Sequence, residues 1–222
     1  MTREKEIASR VADVERRIAA AAARCGRAPQ TVLLVAVGKT YPVSDLLLAH
    51  AAGVRAFGEN RVQEAEEKFP HLPADAERHL IGPIQSNKAN RAAKVAAVVE
   101  TVDSLDLARR LDRAATAAGK RLAVLVQVHL GGETTKSGVE PDAAAALVSS
   151  MKAMTSLDLK GLMTIPPPGS SREHYATLRR LGEALGLREL SMGMSDDFEA
   201  AIEEGATIVR VGSAIFGARG MR

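Results

Sequence analysis

A strand-like apolar run that gives way to a helical stretch recurs along almost the whole chain, and this alternation narrows the fold most. The first run is Val32–Val37; a helix opened by Pro42 and Ser44 follows and is stopped by Gly53. Further strands are expected at Val54–Phe57, His79–Ile81, Ala97–Val102, Leu122–Leu130, Leu159–Thr164, Glu189–Met192 and Thr207–Val211. Helices are expected between them, over Arg61–Phe69, Asn87–Lys94, Ser104–Ala118, Pro141–Met154, Ser171–Leu185 and Asp196–Glu204. That makes about eight units, the count of a (β/α)8 TIM barrel. A doubly wound sheet also alternates, but seldom through so many units, and no dinucleotide-binding fingerprint follows the first strand. Ile7, Val11, Val14 and Ile18 stand at helical spacing ahead of it. The expected architecture is therefore an α/β barrel with an extra N-terminal helix. No linker or low-complexity segment interrupts it, so residues 1–222 read as one domain.

Composition removes several function classes. Aromatic residues make up only 3% of the chain and tryptophan is absent, which argues against single-stranded nucleic-acid binding on stacked rings. The net charge of +3 is interleaved with acids, the pattern of a solvated surface rather than a nucleic-acid footprint. The single cysteine, Cys25, excludes an intrachain disulfide and a cysteine-rich zinc site. The five histidines show no metal-ligand spacing. No apolar run is long enough to span a membrane, and Met1–Arg10 is charged with no signal-peptide core, so a cytoplasmic protein is expected.

In TIM barrels the site lies at the C-terminal strand ends, and phosphate groups often bind after strands seven and eight. Both of those strands break at glycine and serine and run into helical stretches, which leaves backbone N–H groups for an anion. The two loops differ in charge. After Ser195 come Asp196, Asp197 and Glu199, which suit the helix dipole but repel an anion, so Ser195 reads first as an N-cap. The turn Gly212-Ser213-Ala214-Ile215-Phe216-Gly217 contains no acid and reads as the main phosphate cradle, with Ser213 adding a hydroxyl. A glycine needed only for a tight turn is the plainer alternative; the barrel position favours phosphate. Ser191, ending strand seven, offers a second hydroxyl.

Lys39 ends the first strand with the same side-chain parity as Val35 and Val37. Strand eight adjoins strand one in a closed barrel, so Lys39 is expected near Gly212. Partial desolvation there favours the neutral amine that attacks a carbonyl; the alternative is a lysine capping the barrel by a salt bridge. A Schiff-base lysine beside one phosphate suits either a phosphorylated sugar or pyridoxal 5′-phosphate (PLP). Arg210 shares a strand face with Ile208 and Gly212. An arginine two residues before the phosphate turn suits a pyridine nitrogen, which it would leave unprotonated because it does not give up its own proton. The ring would then be a poor electron sink, whereas most PLP enzymes place an acid there. An interior arginine paired with an acid such as Glu59 is the equal alternative.

VAVGKT (Val35–Thr40), AFGENRVQE (Ala56–Glu64), HLIGPIQSNK (His79–Lys88), TKSGV (Thr135–Val139), GLMTIP (Gly161–Pro166), SMGMSDD (Ser191–Asp197) and VRVGSAIFG (Val209–Gly217) occur in this order. Through them the chain resembles the YggS/PROSC family of pyridoxal phosphate homeostasis proteins, from about Val32 to Gly217. The resemblance implies a fold type III barrel, similar to the N-terminal domain of alanine racemase, that holds PLP as a Schiff base on Lys39. It places the phosphate at Ser191 and Gly212-Ser213, Arg210 at the pyridine nitrogen and Asn60 near the cofactor. Gly38 stands where the family usually has serine, and Arg78 and Leu80 stand where larger apolar or aromatic residues are usual.

The resemblance implies a carrier in PLP homeostasis without a defined turnover, with PLP-dependent apoenzymes as recipients. A racemase is the first alternative and needs an acid/base on each face of the cofactor. In alanine racemases the opposing tyrosine comes from a second, β-rich domain, and none is expected here after the eighth unit. The two tyrosines, Tyr41 and Tyr175, are poorly placed for that role. A Schiff-base aldolase on a phosphorylated sugar is the second. A monomer with an open cofactor face is expected. The loop Gly131–Gly138 reads as a mobile surface loop; the functional alternative is a lid, or Lys136 as a second acceptor of PLP. Pro166-Pro167-Pro168-Gly169 reads as a rigid turn at the barrel mouth.

Overall fold

The computed structural model describes residues 1–131, 137–167 and 171–217. Lys136 and most of its loop, and the end of the proline turn, lie outside the described residues. Eight parallel strands close into one barrel in sequential order. They are β1 (Leu33–Val37), β2 (Ala56–Glu59), β3 (Glu77–Leu80), β4 (Val98–Val102), β5 (Leu122–Gln127), β6 (Leu157–Met163), β7 (Glu189–Ser191) and β8 (Ile208–Val211). The ring closes where β1 pairs with β8, with Val35 beside Arg210. The expected barrel is therefore present, strand for strand.

The first helix, α1 (Arg3–Arg24), precedes the barrel. Its stripe of Ile7, Val11, Val14 and Ile18 is buried, each side chain worth roughly 1.5–3 kcal/mol when withdrawn from water. The Thr2 hydroxyl caps its start, and Glu4 and Glu6 suit the positive end of its dipole. Between the strands run α2 (Val43–Ala51), α3 (Val62–Lys68), α4 (Ala89–Val95), α5 (Leu105–Ala117), α6 (Pro141–Met151), α7 (Ser171–Leu185) and α8 (Phe198–Glu203). A single turn, α9 (Ser213–Phe216), follows β8. Arg3 ties the two ends of the chain together: it donates to the Phe216 carbonyl at 2.8 Å and pairs with Asp45.

Strand alternation sorts the core into two bodies. Val35, Ala56, Val98, Leu125, Met163 and Ile208 fill the lower barrel interior. Outward-facing residues such as Ala36, Phe57, Leu80, Val99 and Val124 join the helix layer. Leu80 is fully buried, and Arg78 donates to the carbonyls of Phe69 and Leu72, so the unusual residues of β3 are accommodated. Some boundaries move. The fifth strand ends at Gln127 because Val128 leaves the ladder for a lone bridge to Val139. The helix of the seventh unit, α8, begins at Phe198, two residues later than expected.

Candidate functional site

Inward parity continues past the upper ends of the strands, and there it exposes polar groups. A cavity of about 370 Å³ opens at this C-terminal mouth. Lys39, Asn60, Ser195, Arg210, Gly212 and Ser213 line it, against apolar walls from Val37, Ile81, Ile165 and Met194. Six of the seven predicted residues thus meet in one place. Ser191 does not line the cavity; it lies below, fully buried.

Lys39 is bracketed by α3. Lys68 donates to the Gly38 carbonyl at 2.8 Å, and the Thr40 N–H donates to Glu64 at 3.3 Å. Thr40 has φ +70°, an uncommon conformation for a β-branched residue and one that costs roughly 1–3 kcal/mol. Lys68 also binds Glu59 at 2.9 Å and Glu64 at 3.2 Å. Burial pushes the Glu59 carboxyl up to about 7, against the pull of Lys68. Glu59 is thus the partner of Lys68, not of Arg210. Asn60 is set by a close approach: a Cβ on Gly82 would stand 2.2 Å from the Asn60 carbonyl oxygen.

The turn after β8, where phosphate is expected, has a geometry that its sequence hides. Gly212 has φ −117°, which any residue adopts, and an added Cβ would come no nearer than 3.4 Å to Val37. A tight turn therefore does not require this glycine. The N–H groups of Gly212 and Ala214 both point at the Ser195 hydroxyl, at 3.2 and 3.4 Å. The N-cap expectation for Ser195 is corrected: Asp197 occupies that position, and its carboxylate accepts from the Met194 N–H at 2.7 Å. The acid reaches back over the loop and leaves the Ser195 hydroxyl to the N–H groups of the turn after β8.

Arg210 is 3% exposed and sits at the cavity floor. It donates to the Thr164 carbonyl at 2.9 Å and to the Ser191 hydroxyl at 2.5 Å. Ser191 passes the contact on, donating to Glu100 at 2.5 Å. Burial presses the Arg210 pKa downward while Glu100 opposes it; the guanidinium stays charged. The sequence reading missed Glu100, although a charged residue within the apolar run Val98–Val102 at inward parity is a legible signal.

The model of the alanine racemase N-terminal domain matches residues 10–220. The pyridoxal phosphate homeostasis protein of Pseudomonas aeruginosa is 47% identical over 222 residues, 96% of each chain. That of Escherichia coli is 41% identical, over 96% of this chain and 97% of its own. The structure of PipY from Synechococcus elongatus with PLP bound superposes with a TM-score of 0.81 at 37% identity, over 95% of this chain and 100% of PipY. With its closed barrel, its upper-mouth site and relatives matched end to end, the chain belongs to the pyridoxal phosphate homeostasis protein family, built on the alanine racemase N-terminal domain.

Proposed function

We propose that the chain binds PLP in the upper-mouth cavity and serves intracellular PLP homeostasis as a carrier. The observation behind this reading is the convergence of a lysine, an anion cradle and a donor-only arginine on one cavity. At about 370 Å³ that cavity falls within the roughly 300–1,000 Å³ of small-molecule sites. The residues fit the cofactor. Two backbone donors converge on the Ser195 hydroxyl at the cavity, and Gly212 leaves room beside them for a phosphate oxygen. Lys39 supplies the amine for a Schiff base with the aldehyde, Arg210 faces the pyridine nitrogen, and Asn60 flanks the ring. The Ser195 and Ser213 hydroxyls complete the phosphate site. Ser191, engaged by Glu100 and Arg210, supports the site from below instead of reaching the phosphate.

When bound, PLP supplies an electron sink, and a donor-only arginine at its nitrogen weakens that sink. The barrel therefore holds the cofactor rather than using it, and PLP-dependent apoenzymes in the cytoplasm are its recipients. The tyrosines support a carrier over a racemase. Tyr41 lines the cavity, but its hydroxyl donates to the Gly217 carbonyl at 2.6 Å. The Tyr175 hydroxyl donates to Asp197 at 2.9 Å, on the outer helix layer.

Borohydride reduction followed by peptide mass spectrometry tests the site. The pyridoxyl adduct is expected on Lys39; an adduct found only on another lysine refutes the assignment. Sustained turnover of alanine or serine by pure protein, lost in Lys39→Ala, would overturn the carrier reading. A protein that stays colourless with PLP would favour a sugar-phosphate aldolase instead.

A further inference from the structure

The barrel interior holds more charge than a cofactor floor needs. Glu100 and His79 are 0% and 1% exposed. Glu100 projects from β4, which lies opposite β8 in the ring. It reaches across the lumen toward β7 and β8 as well as meeting His79 on the neighbouring β3. One of its oxygens accepts from Ser191, the other meets His79 Nδ1 at 2.7 Å, and Arg210 NH1 lies 3.9 Å away. Arg210 donates to Ser191 and Ser191 donates into the carboxylate, while His79 Nδ1, when it carries a proton, donates into the other oxygen.

We infer that His79 and Glu100 are positioning residues for the cofactor site: they form a directed chain of charge across the lumen that fixes Arg210 as the donor facing the ring nitrogen. The inference rests on the PLP reading above but carries its own observables. Buried ions persist where they are paired, and here one carboxylate is shared by two cations. Burial works against the charged imidazole, but Glu100 and Glu77 outweigh it and push His79 up to about 9. Burial likewise opposes the charged form of Glu100, and His79 and Arg210 hold its carboxyl below the usual range. The lower mouth supplies the rest of the setting. His79 Nε2 lies 3.3 Å from Glu77, without the alignment of a hydrogen bond, and Glu189 and Lys160 line the same small cavity.

Two measurements decide it. The first is a pH titration of ¹⁵N-histidine-labelled protein without cofactor. One imidazole is expected to stay charged well past neutrality in the wild type and to return toward ordinary histidine titration, near 6.5, in Glu100→Gln. Five histidines all titrating near 6.5 in the wild type would overturn the inference, and no variant is needed to see it. The second is PLP affinity. Glu100→Gln and His79→Gln are each expected to bind PLP about tenfold more weakly, since a buried partner is left unsatisfied. The reduced adduct should still map to Lys39. Wild-type affinity in both variants would overturn the positioning role. If the wild type takes no PLP, the cofactor reading fails, while the histidine titration still tests the chain of charge.

Discussion

Lys68→Met removes one ammonium that satisfies three oxygens at once, those of Gly38, Glu59 and Glu64. Glu59 is fully buried, and its Oε2 has no partner, so Lys68 is its main compensation. Breaking a buried pair from one side costs roughly 3–5 kcal/mol, because the remaining charge is stranded. The cost should depend on pH. The folded-state pKa of Glu59, about 7, lies above its ordinary 4.5. The folded protein therefore binds a proton that the unfolded chain has released, and the stability from this group falls as pH rises from 4.5 through 7. At pH 6 Glu59 is mostly protonated and Lys68→Met should cost only about 1–2 kcal/mol in lost hydrogen bonds. At pH 8 the full 3–5 kcal/mol is expected. Urea unfolding of the wild type, both single variants and Glu59→Gln/Lys68→Met at the two pH values measures this. The double variant should recover at pH 8 to within about 2 kcal/mol of wild type. An equal cost of Lys68→Met at both pH values, or no rescue by Glu59→Gln, would refute the reasoning.

Three further outcomes follow from the cofactor mouth. Gly212→Ala should fold with unfolding free energy within about 1 kcal/mol of wild type, yet bind PLP markedly more weakly in a fluorescence titration. Ser195→Ala removes the oxygen that meets the Gly212 and Ala214 N–H groups; it should cost about 1 kcal/mol in chemical denaturation and weaken PLP binding less than Gly212→Ala does. Thr40→Gly relieves the left-handed threonine and should raise stability by about 1 kcal/mol, while slowing capture of PLP by a less fixed Lys39, read by stopped-flow absorbance.

What the sequence disclosed follows the range of each signal. Strand and helix periods are local, so the barrel and the inward set Lys39, Arg210 and Gly212 were legible from parity and unit count, whereas Asn60 was reached only through the family motif. Partners across the lumen or between layers are not local. Nothing in the order of residues says that Glu100 faces Ser191, or that Glu59 turns outward to Lys68; those follow from strand register and ring closure. Ser195 shows a finer limit. Three acids after a serine suggest a capped helix, but Asp197 takes that place and releases the serine to the neighbouring turn. A shift of two residues in a helix start exchanged a structural role for a position in the site.

The closing of β1 on β8 has a consequence for how the protein is made. Lys39 lies in the first unit and the Gly212 turn in the last, so the two sides of the cavity are separated by most of the chain. Bringing them together incurs the entropy of a long loop, a contact of the kind that forms late. A growing chain therefore presents the lysine well before it can present the cradle, and only the completed ring offers both. A ligand gripped across that seam favours the closed ring over every opened form, by an amount that grows with its concentration relative to its dissociation constant. Cofactor supply would then set not only how much of the protein is loaded but how long each copy survives.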